Sequence, residues 1–135
     1  LGTDEASSNN NLDMMEEMHC AALLQKVACG DPMAMPSFKT LQMATSGGAR
    51  VLGLPDVGML KTGMKADLIL VDLRRPHLCP QHDIIAHLVY SAQSADVDTV
   101  IINGEIVMEG RRVLTIDEKK VMAEAQMCAD RLVGK

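Results

Sequence analysis

Aromatic side chains are almost missing from this 135-residue chain, which has one Phe, one Tyr and no Trp. Its eleven Met residues fill part of that role. Met fits irregular gaps but specifies a core only loosely. Most of these Met stand in helical patterns with Leu and Ala, so packing is preferred to a Met-rich binding surface. Basic clusters are also scarce. None exceeds the pairs Arg74-Arg75 and Arg111-Arg112, and the net charge is −5. That balance excludes a nucleic-acid partner. No apolar run approaches the ~20 residues that cross a bilayer, which excludes a membrane role of that kind. Residues 1 to 13 are polar and acidic, with no basic stretch ahead of an apolar one, so no secretory signal is read there. The four cysteines, Cys20, Cys29, Cys79 and Cys128, contain no CxxC pair. Their scatter argues against a zinc knuckle or a disulfide framework. They read as buried free thiols in a reducing compartment, the cytoplasm.

What is present fits one soluble domain. Apolar residues make up 47% and charged residues 23%, ordinary values for a globular chain of a length that can bury a core. Residues 1 to 4 read as the end of a strand and 5 to 11 as a polar turn. Asp13 stands three before Glu16, a capping-box spacing. A helix is predicted from about Met14 to Ala28, with Met15, Met18, Ala22 and Val27 near helical spacing. Gly30-Asp31-Pro32 closes it. Further helices are expected over Ser37 to Ala44 and Gly48 to Leu52, with Gly47-Gly48 marking the break or a close backbone approach.

After Gly53 the character changes. VGMLKTGMKADLILVDL holds Gly-centred turns and a short strand, Asp67 to Val71. Arg74 to Gln81 is an irregular connection with two prolines, and Ile84 to Tyr90 a short helix. Asn103-Gly104 between two β-branched runs is a strong hairpin signal. The stretch from Asp117 to Val133 is an amphipathic helix with Val121, Ala125, Cys128 and Leu132 on one side. The chain begins with Leu on what reads as a strand end, and its helical first part has no sheet to pack on. Both features are expected of a piece of something longer.

The blocks LGTDEASSNNNLDM, LQMATSGGARVLGL, GMLKTGMKADLILVDL and HLVYSAQSADVDTVIINGEIVM together resemble the amidohydrolase superfamily. The closest branch is that of methylthioadenosine/adenosylhomocysteine deaminases and triazine and other chlorohydrolases. The resemblance covers essentially the whole chain, in order. It implies an α/β fold class: the C-terminal fragment of a distorted TIM barrel, carrying its last strand and helices, plus part of a small β-sandwich and a C-terminal helix. Residues 1–53 would be the end of the barrel, 54–115 the sandwich contribution with an inserted helical segment, and 116–135 the last helix, packed back on the barrel.

The same resemblance gives Asp4 a role as metal ligand and as acceptor of a proton from the attacking water. It implies zinc or iron in the full-length parent. The parent's other ligands, a His-x-His pair and two further histidines, together with a proton-shuttling glutamate, fall outside this chain. One aspartate cannot bind zinc tightly, since a site takes three or four protein ligands. The isolated chain is therefore expected to hold no metal and to be inactive. Glu5 departs from the glycine that often follows the metal aspartate. Glu5 and Ser8 match positions in the substrate pocket of the triazine hydrolases. Glu5 reads equally as a contact for an amino or cationic group and as a turn residue. Asn9 and Asn10 read as turn-formers.

His77, His82 and His87, spaced by five, invite a metal reading. That spacing is off-face on a helix and runs partly through Pro-rich loop, so structural hydrogen bonding is preferred. His19 reads as exposed or packed. The expected activity of the parent is hydrolytic deamination, or dechlorination, of an aromatic N-heterocycle such as an adenosine derivative, guanine or a triazine. The expected partners are that small molecule and further copies of the chain. The alternative is a stand-alone folding or oligomerisation module derived from such an enzyme.

Overall fold

A computed structural model describes residues 1–134. Six α-helices and four strands follow one another. They are α1 (Ala6–Asn9), α2 (Met14–Cys29), α3 (Ser37–Ala44), α4 (Ser46–Val51), β1 (Leu68–Val71), α5 (Ile84–Tyr90), β2 (Val97–Ile102), β3 (Glu105–Glu109), β4 (Arg112–Val113) and α6 (Glu118–Val133). Short 3-10 turns at Pro76–Leu78 and Ser94–Asp96 complete the chain.

Helix boundaries follow local chemistry. Asp13 caps α2 by accepting from the Met15 and Glu16 amides at 2.8 and 3.2 Å, the usual way of satisfying free N–H groups at a helix start. Only half of the anticipated capping box is found, because the Glu16 carboxylate accepts instead from the Asn11 side-chain amide. Gly30 ends α2 in the left-handed conformation. Asp83 and Asp117 cap α5 and α6 in the same manner as Asp13.

The core is small. Met15, Met18 and Ala22 of α2 meet Val89 of α5, with Leu1, Leu41, Ala44, Val71, Tyr90 and Val97 packed around them. The anticipated α2 stripe is right for its first three members and wrong for Val27, which is 80% exposed. All four cysteines are free, as expected, but exposed rather than buried. Cys20, for example, lies about 200° around α2 from the buried Met18.

The strands form one antiparallel sheet in the order β1-β2-β3-β4. Asn103 and Gly104, at φ 52° and 83°, make the β2-β3 turn with both central residues left-handed, which matches strand twist. The Asn103 amide donates to Asp67 Oδ1 at 2.6 Å and that of Gly104 to the Ala66 carbonyl at 3.0 Å, tying this turn to the start of β1.

Residues 1–4, expected to end a strand, are irregular. A strand is defined by its ladder, and these residues have no ladder partner among the described residues. The polar turn expected over 5–11 contains the single helical turn α1. The amphipathic helix expected over Asp117 to Val133 is found as α6, and none of its residues is buried. Its expected apolar side lies open, with Leu132 86% exposed. Lys135, the last residue assigned to that unit, lies outside the described residues.

Gly58 docks the loop after α4 onto that helix. Its φ is +87°, and an added Cβ would stand 2.8 Å from the Ala49 Cβ and 3.0 Å from the Ser46 Cα. Gly58→Ala is therefore expected to cost about 2–3 kcal/mol, from backbone strain plus overpacking. Urea denaturation of the full-length protein checks this, and an unchanged midpoint would contradict the packing described.

Candidate active-site segment

The segment Leu1–Asn10 is held at several points. The Leu1 nitrogen donates to the Met43 carbonyl at 3.3 Å. Asp4 sits at φ 60°, a region costing non-glycine residues roughly 1–2 kcal/mol, although Asp tolerates it better than most. The Thr3 hydroxyl donates to the Asp4 carbonyl at 3.1 Å. The Asp4 side chain is exposed, and no side-chain hydrogen bond or ion pair engages it among the described residues. Strained backbone of this kind clusters at functional sites. This strain was not legible in the sequence.

Glu5 is extended, at φ −87° and ψ 153°, and begins α1. Its carbonyl accepts from the Ser8 and Asn9 amides at 3.0 Å each. Its carboxylate accepts from the Ser8 hydroxyl at 3.3 Å. The structure thus brings together the two residues singled out as a substrate-contacting pair, immediately after Asp4. Asn10 adopts φ 57°, as a turn-former should. The Asn9 side-chain nitrogen donates both to the Thr3 carbonyl at 2.9 Å and to Glu17 Oε1 at 2.8 Å.

The histidines are engaged structurally. His77 Nε2 donates to Asp96 Oδ2 at 2.8 Å and His87 Nε2 to the Pro80 carbonyl at 3.0 Å. His82 is exposed. His19 Nδ1 donates to the Tyr90 carbonyl at 3.2 Å and stands edge-on to that ring. No group of three or more His, Cys, Asp and Glu side chains that could hold a metal occurs among the described residues. Asp4 offers one hard oxygen donor, which suits zinc as a single ligand, and a complete site takes three or four.

A cleft of about 470 Å³ is lined by Asp13, Glu16, His19, Tyr90 and Gln93, among others. Its acids are committed elsewhere: Asp13 caps α2, and Glu16 holds Asn11. Burial works to raise the Asp13 pKa, and bonds from Ser94 and from the Glu16 and Met15 amides overcome it, leaving the value lowered.

Sequence reading missed Asp96, which is 3% exposed. It ends the 3-10 turn Ser94–Asp96 just before β2, and its Oδ2 accepts from the Gln93 backbone amide at 2.9 Å as well as from His77. Arg75 Nε lies 3.8 Å from its Oδ1. Burial works to raise its pKa, and these partners, His77 foremost, bring it below the ordinary aspartate value. The Gln-x-x-Asp spacing just before a β-branched run was the available signal.

Comparison with known proteins places this geometry in context. The Amidohydrolase family matches residues 1–107. The 5-methylthioadenosine/S-adenosylhomocysteine deaminase of Pelotomaculum thermopropionicum is 73% identical over 135 residues, which is 100% of this chain and 31% of that protein. A crystal structure of an adenosine deaminase from Xanthomonas campestris with bound zinc superposes with a TM-score of 0.96 at 37% identity. That match covers 99% of this chain and 31% of the other. An atrazine chlorohydrolase from Arthrobacter aurescens TC1 complexed with zinc gives a TM-score of 0.81 at 29% identity, covering 91% of this chain and 28% of the other. The chain thus spans about 31% of the length of the curated relative it matches.

Proposed function

The chain belongs to the amidohydrolase family, and from that premise we propose that it forms part of a metal-dependent hydrolase that deaminates a 5′-substituted adenosine. The observation that carries this reading is the unbroken 73% identity, along all 135 residues, to a methylthioadenosine/adenosylhomocysteine deaminase. In this reading residues 1–53 supply the end of a distorted TIM barrel, 54–115 part of a small β-sandwich, and 116–135 the closing helix. Active sites of such barrels lie at the C-terminal ends of the strands, where this reading puts Asp4.

Zinc is the metal that this reading favours, since two of the superposed structures contain it. A bound divalent metal supplies acidification of water, lowering its pKa toward neutrality. Asp4 would be one of its ligands, with the others supplied by residues outside this chain. Asp4 also accepts the proton from the attacking water. Water adds to the ring carbon that bears the amine, the C–N bond breaks, and ammonia leaves with the proton. Glu5 and Ser8 face the substrate, with the Glu5 carboxylate directed at an amino or cationic group. On this account the 135-residue chain alone is inactive.

The test is to offer the purified full-length protein 5′-methylthioadenosine, S-adenosylhomocysteine and a chlorinated triazine. Ammonia from the adenosines without chloride from the triazine is the expected result. Chloride without ammonia would assign the chemistry to the chlorohydrolases instead.

A second reading concerns the isolated chain, which we expect to associate with copies of itself. Its accessible surface is 9724 Å², whereas a compact monomer of its 14.6 kDa exposes about 6,900 Å². Part of the excess is apolar, including Ile69, Leu70 and Ile106 of the sheet and Met122 and Leu132 of α6. Exposed apolar surface beyond the ordinary marks interaction surfaces. Sedimentation equilibrium is expected to give a mass well above 14.6 kDa. A clean monomer across the micromolar range would contradict this.

A further inference from the structure

We propose that Asn9 and Glu17 form a positioning brace for Asp4, an inference that rests on the role given to Asp4 above. A left-handed aspartate does not hold its place unaided, because relaxing toward negative φ releases its strain. Something must fix the peptide on its N-terminal side, and the Asn9 side chain does so. Its nitrogen carries two hydrogens, and each has its own acceptor. One is the Thr3 carbonyl, 2.9 Å away, and the other is Glu17 Oε1, at 2.8 Å. Both acceptors lack a proton, so the amide can face only one way, and its plane is set by two fixed points.

Glu17 is a firm anchor. It lies in the first turn of α2, whose start is capped by Asp13 and whose Met15 and Met18 are 6% and 3% exposed in the core. The line of attachment runs from the core through α2, Glu17, Asn9 and the Thr3 carbonyl to the Asp4 peptide. The Glu17 bond is charge-assisted, and such bonds are about twice as strong as neutral ones. A second contact completes the hold: the Thr3 hydroxyl takes the Asp4 carbonyl. All these groups are solvent-exposed, so the brace acts on the orientation of Asp4 far more than on global stability. Neither Asn9 nor Glu17 touches a reacting atom in this arrangement, so both are positioning residues.

The experiment uses the full-length protein, with kcat, KM and zinc affinity by chelator competition as readouts. Asn9→Asp removes both hydrogens and sets a carboxylate against Glu17. It is expected to lower kcat and zinc affinity by about 10- to 100-fold, the usual effect of disturbing a group behind a metal ligand, with KM within about threefold. Glu17→Leu is expected to do likewise. Glu17→Gln keeps an acceptor oxygen and is expected to stay within about threefold of wild type while Glu17→Leu does not, a contrast that a purely packing role does not produce. In an Asp4→Asn background, Asn9→Asp is expected to change zinc affinity by less than about twofold, because coupled positions are non-additive. If Asn9→Asp fails to fold, the Glu17→Leu and Glu17→Gln pair still gives the comparison. Wild-type kcat and zinc affinity in Asn9→Asp, or an equal loss in both backgrounds, overturns the brace while the role of Asp4 stands. Retained activity and zinc in Asp4→Asn alone overturns both.

Discussion

Asp4→Asn in the full-length protein is expected to lower kcat by roughly 10³-fold, the middle of the range for loss of a general base. Asn keeps the size of the side chain and tolerates left-handed φ, so the loss reports chemistry and not folding. It still carries an oxygen, but it does not accept the proton of the attacking water. Asp4→Gly separates the two effects further. Glycine has no steric penalty at φ 60°, which relieves strain of about 1–2 kcal/mol, against an entropic cost of about 0.5–1 kcal/mol for the freer unfolded chain. The Gly variant is therefore expected to be inactive and no less stable than the wild type. Steady-state ammonia release and urea denaturation measure the two halves. A destabilised, active Gly variant would show that Asp4 serves the fold instead of the reaction.

Asp96→Ala is expected to cost about 1.5–3 kcal/mol of stability, the range for hydrogen bonds to a charged group, since the partners left behind, His77 and Arg75, are half-exposed. The aspartate is 3% exposed and collects the Gln93 amide, His77 and, at longer range, Arg75. Alanine leaves the Gln93 backbone N–H without its acceptor and His77 without its carboxylate partner. Asp72 shows that the effect belongs to burial and not to charge pairing as such. It pairs with Arg74 at 3.0 Å, but that pair lies at the surface, where such contacts contribute about 0–1 kcal/mol.

The same residue sets an acid limit. The Asp96 pKa is lowered in the folded protein, so the folded state prefers the ionised form. Its contribution is complete above the unfolded value of about 3.9 and is lost as pH falls through the folded one. Asp13 adds a contribution of the same sign. Urea midpoints measured from pH 7 down to pH 3 are expected to fall less steeply in Asp96→Asn than in wild type. Parallel curves would assign the acid sensitivity to other groups.

Much of this fold was legible in the sequence, for identifiable reasons. The α3 and α5 spans were read as found, since each is bounded by punctuation: Pro36 before Ser37, Asp83 before Ile84. The β2-β3 hairpin was visible because Asn-Gly between β-branched runs satisfies two left-handed φ angles at once. What could not be read was anything requiring a partner surface. Val27 and Leu132 lie on stripes that periodicity marks as apolar faces, yet both are exposed, because period does not say whether a neighbour exists. The cysteines were misplaced for the same reason. At the candidate site, Asp4, Glu5 and Ser8 were reached through family resemblance. The left-handed backbone of Asp4 and the double use of the Asn9 amide are properties of three-dimensional placement that no local pattern encodes. The even spacing of His77, His82 and His87 drew attention to a metal reading, whereas the bonds of His77 and His87 are structural.

The most direct test of the central claim is to locate zinc by anomalous scattering in crystals of the full-length protein. The account predicts zinc in direct contact with the Asp4 carboxylate, with the remaining ligands supplied from outside residues 1–135. Zinc bound elsewhere with Asp4 facing solvent, in crystals of an active enzyme, would contradict it.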